Sequence, residues 1–368
     1  MNCRHCKHPL EHVFLDLGCA PPSNAYLAAD ELRAAEVYLP LRIMVCDRCW
    51  LVQTEDYAQP EQLFRSDYSY FSSVSKSWLE HAAKYVEHVT GRFGLNGQSF
   101  VVEVASNDGY LLRNFVAAGV PCLGIEPTAG TAAAAEALGI PVLREFFGRE
   151  MAAGLAREKR KADLILGNNV YAHVPDINDF TAGLKEMLAP QGVVTLEFPH
   201  LLRLIEDCQF DTVYHEHFSY LSLHAVRSIF RQAGLRIWDV EELPTHGGSL
   251  RVYGCHDADP RADLPSVERI LELEKRREML ALSGYKGLQG RANIIKNDLL
   301  TFLIEMNRSG KKVAGYGAAA KGNTLLNYAG VKPDLLPFVC DAAPSKQGKF
   351  LPGSRIPVLS PEALGKYK

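Results

Sequence analysis

This sequence has no long apolar run: nothing in it is suited to span a bilayer, and the opening MNCRHCKHPL lacks the apolar core of an export signal. A cytoplasmic protein without a membrane partner is expected. Excess positive charge is missing too, since 40 Lys and Arg stand against 43 Asp and Glu, for a formal net charge of -3. Without a basic tract, binding to nucleic acid has no electrostatic support, and small molecules become the expected partners. Internal repeats and long low-complexity segments are also absent. Nine cysteines, an odd number in a chain expected in a reducing compartment, argue against a disulfide framework and require some other use of cysteine.

What is present begins with that use. CRHC supplies Cys3 and Cys6, and CDRC supplies Cys46 and Cys49. Two such knuckles brought together close a four-thiolate shell that suits Zn2+ and leaves no open catalytic position, so the site reads as structural zinc. A redox CxxC or plain buried thiols are the competing readings, but redox motifs come singly beside a βαβ pattern. His5 and His8 are read as bystanders. Between the knuckles, GCAPPSNAYL, with Pro21, Pro22 and Asn24, marks an irregular excursion rather than a finger helix, and no basic recognition helix follows.

At 368 residues, 47% hydrophobic and 23% charged, the chain is long enough for two or three ordinary domains. After a helix expected from about Ser75, strands and helices alternate. SFVVEVA, CLGIEP, ADLILGNN and GVVTLEFPH read as strands, with helices at GYLLRNFVAAG, AGTAAAAEALG and INDFTAGLKEMLAP between them. That order predicts an α/β fold with a parallel, doubly wound sheet, closed by an antiparallel pair at GLRIWDVEEL and GGSLRVYGCH. From about Asp259 the charge density and apolar spacing become those of long helices, and KKVAGYGAAAKGNTLLNYAG then reads strand, Gly-rich turn, helix, with another strand at LLPFVCDAAPSKQG. The expected division is a zinc-binding domain at 1–70, a nucleotide-binding α/β domain at 71–258 and a short Rossmann-like domain at 259–368.

VVEVASNDGYLL has the order of a first strand and turn in a nucleotide-binding domain, with Glu103 at the strand end and Gly109 opening the helix. Glycine is sparse there: a dinucleotide fingerprint needs three, and this turn offers Ala105, Asn107 and Gly109 at the corresponding places. A cofactor without phosphates fits better. S-adenosylmethionine (SAM) meets that description, and Glu126 in GIEP, after the second strand, is placed to grip its ribose hydroxyls. Taken alone, Glu103 and Glu126 are as readily strand-end caps. LILGNNVYAHVPD, Leu164 to Asp176, resembles the stretch after the fourth strand of class I methyltransferases, where polar residues line the pocket. Ligands of α/β sheets sit at strand C-terminal ends, so Glu103, Asn107, Glu126, Asn168 and His173 are expected to converge.

The paired knuckles, YSYFSS, VEVASNDGYLL, GIEP, NNVYAHVPD, YHEHFSY, HGGSLR and GYGAAAKGNTLLNY, in this order, resemble the bacterial SAM-dependent nucleotide-sugar C-methyltransferases of deoxysugar pathways such as mycarose, kijanose and tetronitrose. The resemblance runs over essentially the whole chain. It implies a methyltransferase domain at 71–258 between a zinc-binding and a Rossmann-like domain. It also implies a dTDP-linked 4-keto-6-deoxy sugar as substrate, methylated at carbon, most often C3. The C-terminus comes earlier than that family leads one to expect.

Carbon next to a ketone must lose a proton before it is methylated, and a His near neutrality suits that task. His217 in YHEHFSY is the candidate base. Glu216 is expected to orient an imidazole or the sugar, and Tyr214 and His173 to donate to the developing enolate oxygen. Tyr68 and Tyr70 are candidate sugar contacts, and Lys321 beside the Gly-rich turn is a candidate for the diphosphate, although a dinucleotide or a plain structural turn would explain the same glycines. His215, His224 and His246 are read as structural or supporting. The competing functions are an O- or N-methyltransferase, an NAD-dependent oxidoreductase and a non-enzymatic zinc scaffold. HEH as a catalytic metal site is disfavoured because it lacks the helical H-E-x-x-H spacing.

Overall fold

The computed structural model describes residues 1–55, 57 and 71–367. After the first CxxC turn, β1 (His12–Ala20), β2 (Leu39–Val45) and β3 (Val52–Thr54) form an antiparallel sheet, with Val45 opposite both His12 and Val52. Bulges in β1 break its alternation, so Phe14, Leu15 and Leu17 are all buried. The helix α1 (Lys76–Phe93) begins where the Ser75 hydroxyl accepts from the Trp78 N–H at 3.3 Å and ends at Gly94, whose φ of 62° is left-handed. Its buried stripe, Ala82, Tyr85, Val86 and Val89, has helical spacing and lies on the central sheet, where the Tyr85 and Thr195 hydroxyls are 2.5 Å apart.

That sheet grows from β4 (Val101–Val104), α2 (Leu112–Ala117), β5 (Cys122–Ile125), α3 (Ala129–Glu136), β6 (Val142–Leu143), α4 (Arg149–Glu158), β7 (Ala162–Asn168), α5 (Ile177–Met187) and β8 (Leu188–Pro199). Then follow α6 (Leu201–Glu206), β9 (Ser219–Tyr220), α7 (Leu223–Gln232), β10 (Leu235–Leu243) and β11 (Ser249–His256). The strand order is β10-β11-β8-β7-β4-β5-β6, with β6 to β8 parallel and β11 running antiparallel between β8 and β10. The expected parallel sheet with a closing antiparallel pair is therefore present. Five elements of this stretch escape the sequence reading, β6, α4, α6, β9 and α7; β6 and β9 are two residues long and α6 six, too short to leave a periodic signal.

β9 joins neither neighbour in this sheet. Ser219 pairs with Gln53 and Tyr220 with Val52, which makes the end of YHEHFSY the fourth strand of the N-terminal sheet. The cysteine region is likewise part of the centre: Cys3, Cys46, Cys49 and Leu51 share one apolar core with Val102, Ile125 and Leu221. Burying each large aliphatic side chain contributes about 1.5–3 kcal/mol, so the two regions stabilise each other. His5 spans them, with Nδ1 2.8 Å from Asn178 Oδ1 on α5 and Nε2 3.1 Å from Ser228 Oγ on α7.

The long helices expected after Asp259 are α8 (Pro265–Arg276) and α9 (Leu288–Arg308). They lead to β12 (Gly315–Tyr316), α10 (Ala320–Ala329), β13 (Val339–Cys340) and β14 (Val358–Leu359), whose strands form a small parallel sheet in chain order. Among the described residues no helix is long and apolar enough to cross a membrane.

Candidate active site and metal centre

The two CxxC knuckles fold alike. In each, the residue after the second cysteine is left-handed, Lys7 at φ 62° and Trp50 at φ 61°, and donates its N–H back to the first cysteine's carbonyl, at 3.0 and 2.9 Å. All four sulfurs lie within 4.8 Å of one another, with Cys3–Cys49 and Cys6–Cys46 each at 3.5 Å. A tetrahedral Zn2+ with bonds of about 2.3 Å needs sulfur–sulfur edges of about 3.8 Å, which this cluster meets with little adjustment. Gln53 Nε2 donates to Cys3 Sγ at 3.2 Å, a contact suited to a thiolate, and Cys3, Cys46 and Cys49 are buried. The geometry is that of a closed structural site.

A cavity of about 590 Å³ opens at the C-terminal ends of β4, β5 and β7. The turn after β4 holds Ala105, Asn107 and Gly109 at φ 57°, 50° and 76°, so alanine and asparagine take the left-handed positions that glycines take in a dinucleotide turn. Asn107 does more than tolerate the turn. Its side-chain oxygen accepts the Ser72 N–H at 3.0 Å, which ties the turn to the segment before α1. Gly109 packs inward: a Cβ there would meet Ile140 Cδ1 at 2.4 Å and Ala135 Cβ at 3.1 Å.

Ala105, Asn107, Glu126 and Asn168 all line the cavity. Glu126 accepts the N–H groups of Asn107 and Thr128, each at 2.9 Å, which fixes its carboxylate at the wall. Asn168 presents a buried side-chain amide whose oxygen and nitrogen both lack a hydrogen-bond partner. Leaving such groups unpaired costs about 1–3 kcal/mol each, so they fit a polar ligand entering here. Glu103 stands differently. It lies within β4 behind the wall formed by Val104 and Ala105, with both oxygens buried and unpartnered. Burial, then the nearby Glu126 and Asp108, push its carboxyl well above the usual range.

The other side of the cavity is built by the YHEHFSY loop. His217 N–H donates to Tyr214 O at 3.0 Å, a tight turn that sets the two rings 4.0 Å apart at 34°. His173, on the Tyr171–His173 turn after β7, has its ring 4.6 Å from that of His217 and hydrogen-bonds the Glu216 backbone. The four expected catalytic residues, Tyr214, Glu216, His217 and His173, therefore meet on one wall. Burial lowers the pKa of His173 to about 4. Burial, then the neighbouring His173, the backbone bond to Thr212 notwithstanding, hold His217 well below its ordinary value. Both imidazoles are neutral at pH 7.

Lys321, in the first turn of α10, reaches the same cavity together with Ala319, Ala320 and Lys346. Asp341 braces the Gly-rich turn, accepting the Ala318 N–H at 2.7 Å and the Ala343 N–H at 2.8 Å. His215 points away, its Nε2 3.2 Å from the carbonyls of Leu39 and Pro40, and the His224 N–H donates to Glu274 at 2.9 Å. Tyr68 and Tyr70 lie outside the described residues.

Sequence reasoning missed several cavity residues. His246 lines the wall; its left-handed φ of 53° in the HGG turn brings Nε2 within 3.1 Å of Asn169 Nδ2. The two glycines after it were the only signal. Trp78 packs between His246 and Tyr110, at ring distances of 5.3 and 6.1 Å, and with Phe146 and Phe147 gives the cavity its apolar part. Asn24, from the irregular excursion, also reaches the wall, 192 residues away in sequence from the Glu216 side chain it contacts.

Comparisons with known proteins agree with this layout. A zinc binding domain family matches residues 3–64, a methyltransferase domain family residues 78–240, and a C-methyltransferase C-terminal domain family residues 244–368. The C-methyltransferase NovU of Streptomyces niveus is 34% identical over 361 residues, covering 98% of this chain and 86% of that protein. Among solved structures, the magnesium protoporphyrin IX methyltransferase of Synechocystis PCC 6803 with bound SAH matches 48% of this chain and 82% of that one at 15% identity and TM-score 0.39. The Haloferax volcanii complex of the Trm112 activator and a methyltransferase matches at 14% identity and TM-score 0.40, covering 49% of this chain and 92% of that one. With this chain aligned to NovU along almost its whole length, and with zinc-binding and methyltransferase domains in sequence, it belongs to the SAM-dependent C-methyltransferases.

Proposed function

We propose that the enzyme methylates a carbon of a nucleotide-linked 4-keto-6-deoxy sugar, at C3, with His217 as the base that forms the enolate. The observation that carries this reading is the anchoring of His217 on the cavity wall. Its Nδ1 faces the Thr212 carbonyl oxygen at 2.8 Å and donates to it, so Nε2 keeps the lone pair. Anchored in this way, the imidazole keeps a free lone pair at pH 7, although burial makes it a weaker base than the near-neutral histidine expected from the sequence.

SAM, when bound, supplies an electrophilic methyl group; Asn107, Glu126 and Asn168 are the residues suited to hold it, at the turn, the ribose and the polar wall. On the opposite wall, His217 Nε2 takes the proton beside the ketone. Tyr214 donates to the oxygen on which the enolate charge develops, whereas neutral His173, expected from the sequence to do the same, spends its one N–H on the Glu216 backbone carbonyl and braces the loop instead. Lys321 adds positive charge to that wall and, with the first turn of α10, suits the diphosphate of a dTDP-sugar. In this division of labour residues 1–70 brace the catalytic loop through zinc, residues 71–258 hold the methyl donor, and residues 259–368 take the sugar nucleotide.

An oxidoreductase reading has less support, because the turn after β4 lacks the three glycines of a dinucleotide fingerprint. O- or N-methylation needs no carbon base. The deciding experiment follows the hydrogen beside the ketone of a dTDP-linked 4-keto-6-deoxyhexose in D2O, with S-adenosylhomocysteine in place of SAM. Exchange at C3 is expected; absence of exchange, together with methyl transfer to oxygen or nitrogen in a parallel reaction with SAM, rejects the proposal.

A further inference from the structure

The irregular excursion between β1 and β2 has no part in zinc binding, yet one of its residues enters the catalytic cavity. Asn24 Nδ2 lies 2.8 Å from Glu216 Oε1 and 2.9 Å from Oε2, so a single amide donates to both oxygens of a buried carboxylate. A neutral donor of this kind fixes where the carboxylate sits without supplying a counter-charge.

The excursion is itself held from the C-terminal region. Leu27 and Phe350 exchange backbone hydrogen bonds at 3.0 and 2.8 Å, and Arg355 Nη1 donates to Leu32 O at 2.9 Å. Two adjacent residues of α10 do the closest work. Asn323 Nδ2 donates to Ser23 O at 2.6 Å, next to Asn24, and the Thr324 hydroxyl donates to Val213 O at 2.8 Å, next to Tyr214. Ser23, Asn323, Thr324 and Val213 are all buried. One rigid helix therefore grips both loops, one residue away from the point at which each delivers a side chain to the cavity.

We propose that Asn24 is a positioning residue for Glu216, and that Asn323 and Thr324 on α10 set the register of the two loops so that this contact forms. The proposal rests on the reading of Glu216 as part of the catalytic wall. Three sequence regions, the zinc-bearing N-terminal part, the catalytic loop and the C-terminal helix, then have to be assembled together before the site is correct, and Lys321 sits on the same helix that does the assembling.

The test is a double-mutant cycle on the full-length, zinc-loaded enzyme. Asn24→Ala should lower kcat and the C3 solvent-exchange rate by about 10- to 100-fold, as expected for a misplaced catalytic group. Zinc content, melting temperature and SAM affinity should hold. Asn24→Asp, equal in size but setting a second carboxyl group against Glu216, should lose at least as much. In combination with Glu216→Gln the losses should not multiply, because Asn24 acts only through Glu216. Thr324→Val keeps the shape of the helix and removes its hydroxyl's bond to Val213 O together with its longer contacts to Ser23 Oγ and Ala320 O, so it serves as the second route should Asn24 variants fold poorly; a kcat loss with KM nearly unchanged is expected. Wild-type turnover in Asn24→Ala and Thr324→Val, or losses that multiply with Glu216→Gln, overturns the proposal. If the wild-type enzyme binds the dTDP-linked keto sugar but neither exchanges nor methylates it, the functional reading fails instead. The same cycle is then scored on calorimetric affinity for that sugar nucleotide, where absent or multiplying effects overturn the positioning role equally.

Discussion

His217 Nδ1 and the carbonyl oxygen of Thr212 stand 2.8 Å apart, and this contact decides which imidazole nitrogen is left to do chemistry. It also gives the proposed base a fixed direction, because the anchoring residue is only five positions away on the same loop. His217→Asn retains approximate size and polarity but cannot accept a proton. Both C3 exchange and methyl transfer should fall by about 100- to 10,000-fold, the usual contribution of a general base. SAM binding, measured by calorimetry, should survive. Near wild-type turnover would transfer the role of base to His173 or a bound water.

The neutral histidines carry a pH signature. In an unfolded chain His titrates near 6.5, whereas folded His173 is held at about 4 and His217 well below its ordinary value. Below pH 6.5 the unfolded chain therefore binds protons that the folded chain refuses. Stability from this source is intact above pH 6.5 and declines as pH falls from there towards about 4. Melting temperatures of the wild type should drop across that window, and His173→Gln should show a shallower drop. An identical slope in the variant would mean that His173 is not buried in its neutral form.

Zinc should matter well beyond its own turn. Cys3, Cys46 and Cys49 are packed in the same core as Val102 and Leu221, and His5 and Arg4 beside them bond to Asn178 and Pro175. Structural zinc in small peptides binds with about 10–16 kcal/mol of apparent free energy, enough to control a large part of this core. Purified enzyme should carry one Zn2+ per chain. Cys46→Ser should lose it and lower both the melting temperature and the turnover, since β9, which pairs with β3 between the cysteines and the catalytic loop, loses its support. Metal analysis that finds no zinc in a fully stable enzyme contradicts this.

Local signals and non-local packing divided what the sequence could reveal. Cys3, Cys6, Cys46 and Cys49 were legible because ligand spacing is a local property, and β4, β5, β7 and β8 because buried parallel strands are short apolar runs. The loop from Tyr214 to His217 was legible through its residue types. Asn24 was not, since its partner Glu216 is 192 residues away and nothing in a Pro-Pro-Ser-Asn turn reports such a contact. Glu103 was expected among the ligand contacts on strand position alone, but position does not determine which face of the strand end meets the cavity; Val104 and Ala105 form the wall instead. His246 was read as supporting because its left-handed backbone, which aims it at Asn169, has no signature beyond the following glycines.

Glu126 separates donor binding from chemistry. Its Oε1 already accepts both the N–H and the hydroxyl of Thr128, and Oε2 accepts the Asn107 N–H, which leaves a lone pair of Oε2 for a ribose hydroxyl. Glu126→Ala should weaken SAM binding by about 1.5–3 kcal/mol for each charge-assisted hydrogen bond lost, with zinc content unchanged. Unaltered affinity in calorimetry would place the donor elsewhere.

Lys321 is the residue for which two roles give different outcomes. It is one of the positive charges on the cavity wall, and its proximity contributes to lowering the pKa of both His217 and His246. If it serves the diphosphate alone, Lys321→Met should raise KM for the dTDP-sugar and leave the pH dependence of kcat in place. If its charge also acts on the base, removing it should let the His217 imidazole protonate more readily. The sign is fixed: a higher His217 pKa removes the free base at a higher pH, so the acidic limb of the kcat profile moves upward. The proximity recorded here predicts both effects together, a higher KM and a limb displaced towards neutrality. A pH profile that superimposes on the wild type, with KM alone raised, would confine Lys321 to the phosphates; an unchanged KM with a displaced limb would remove it from substrate binding.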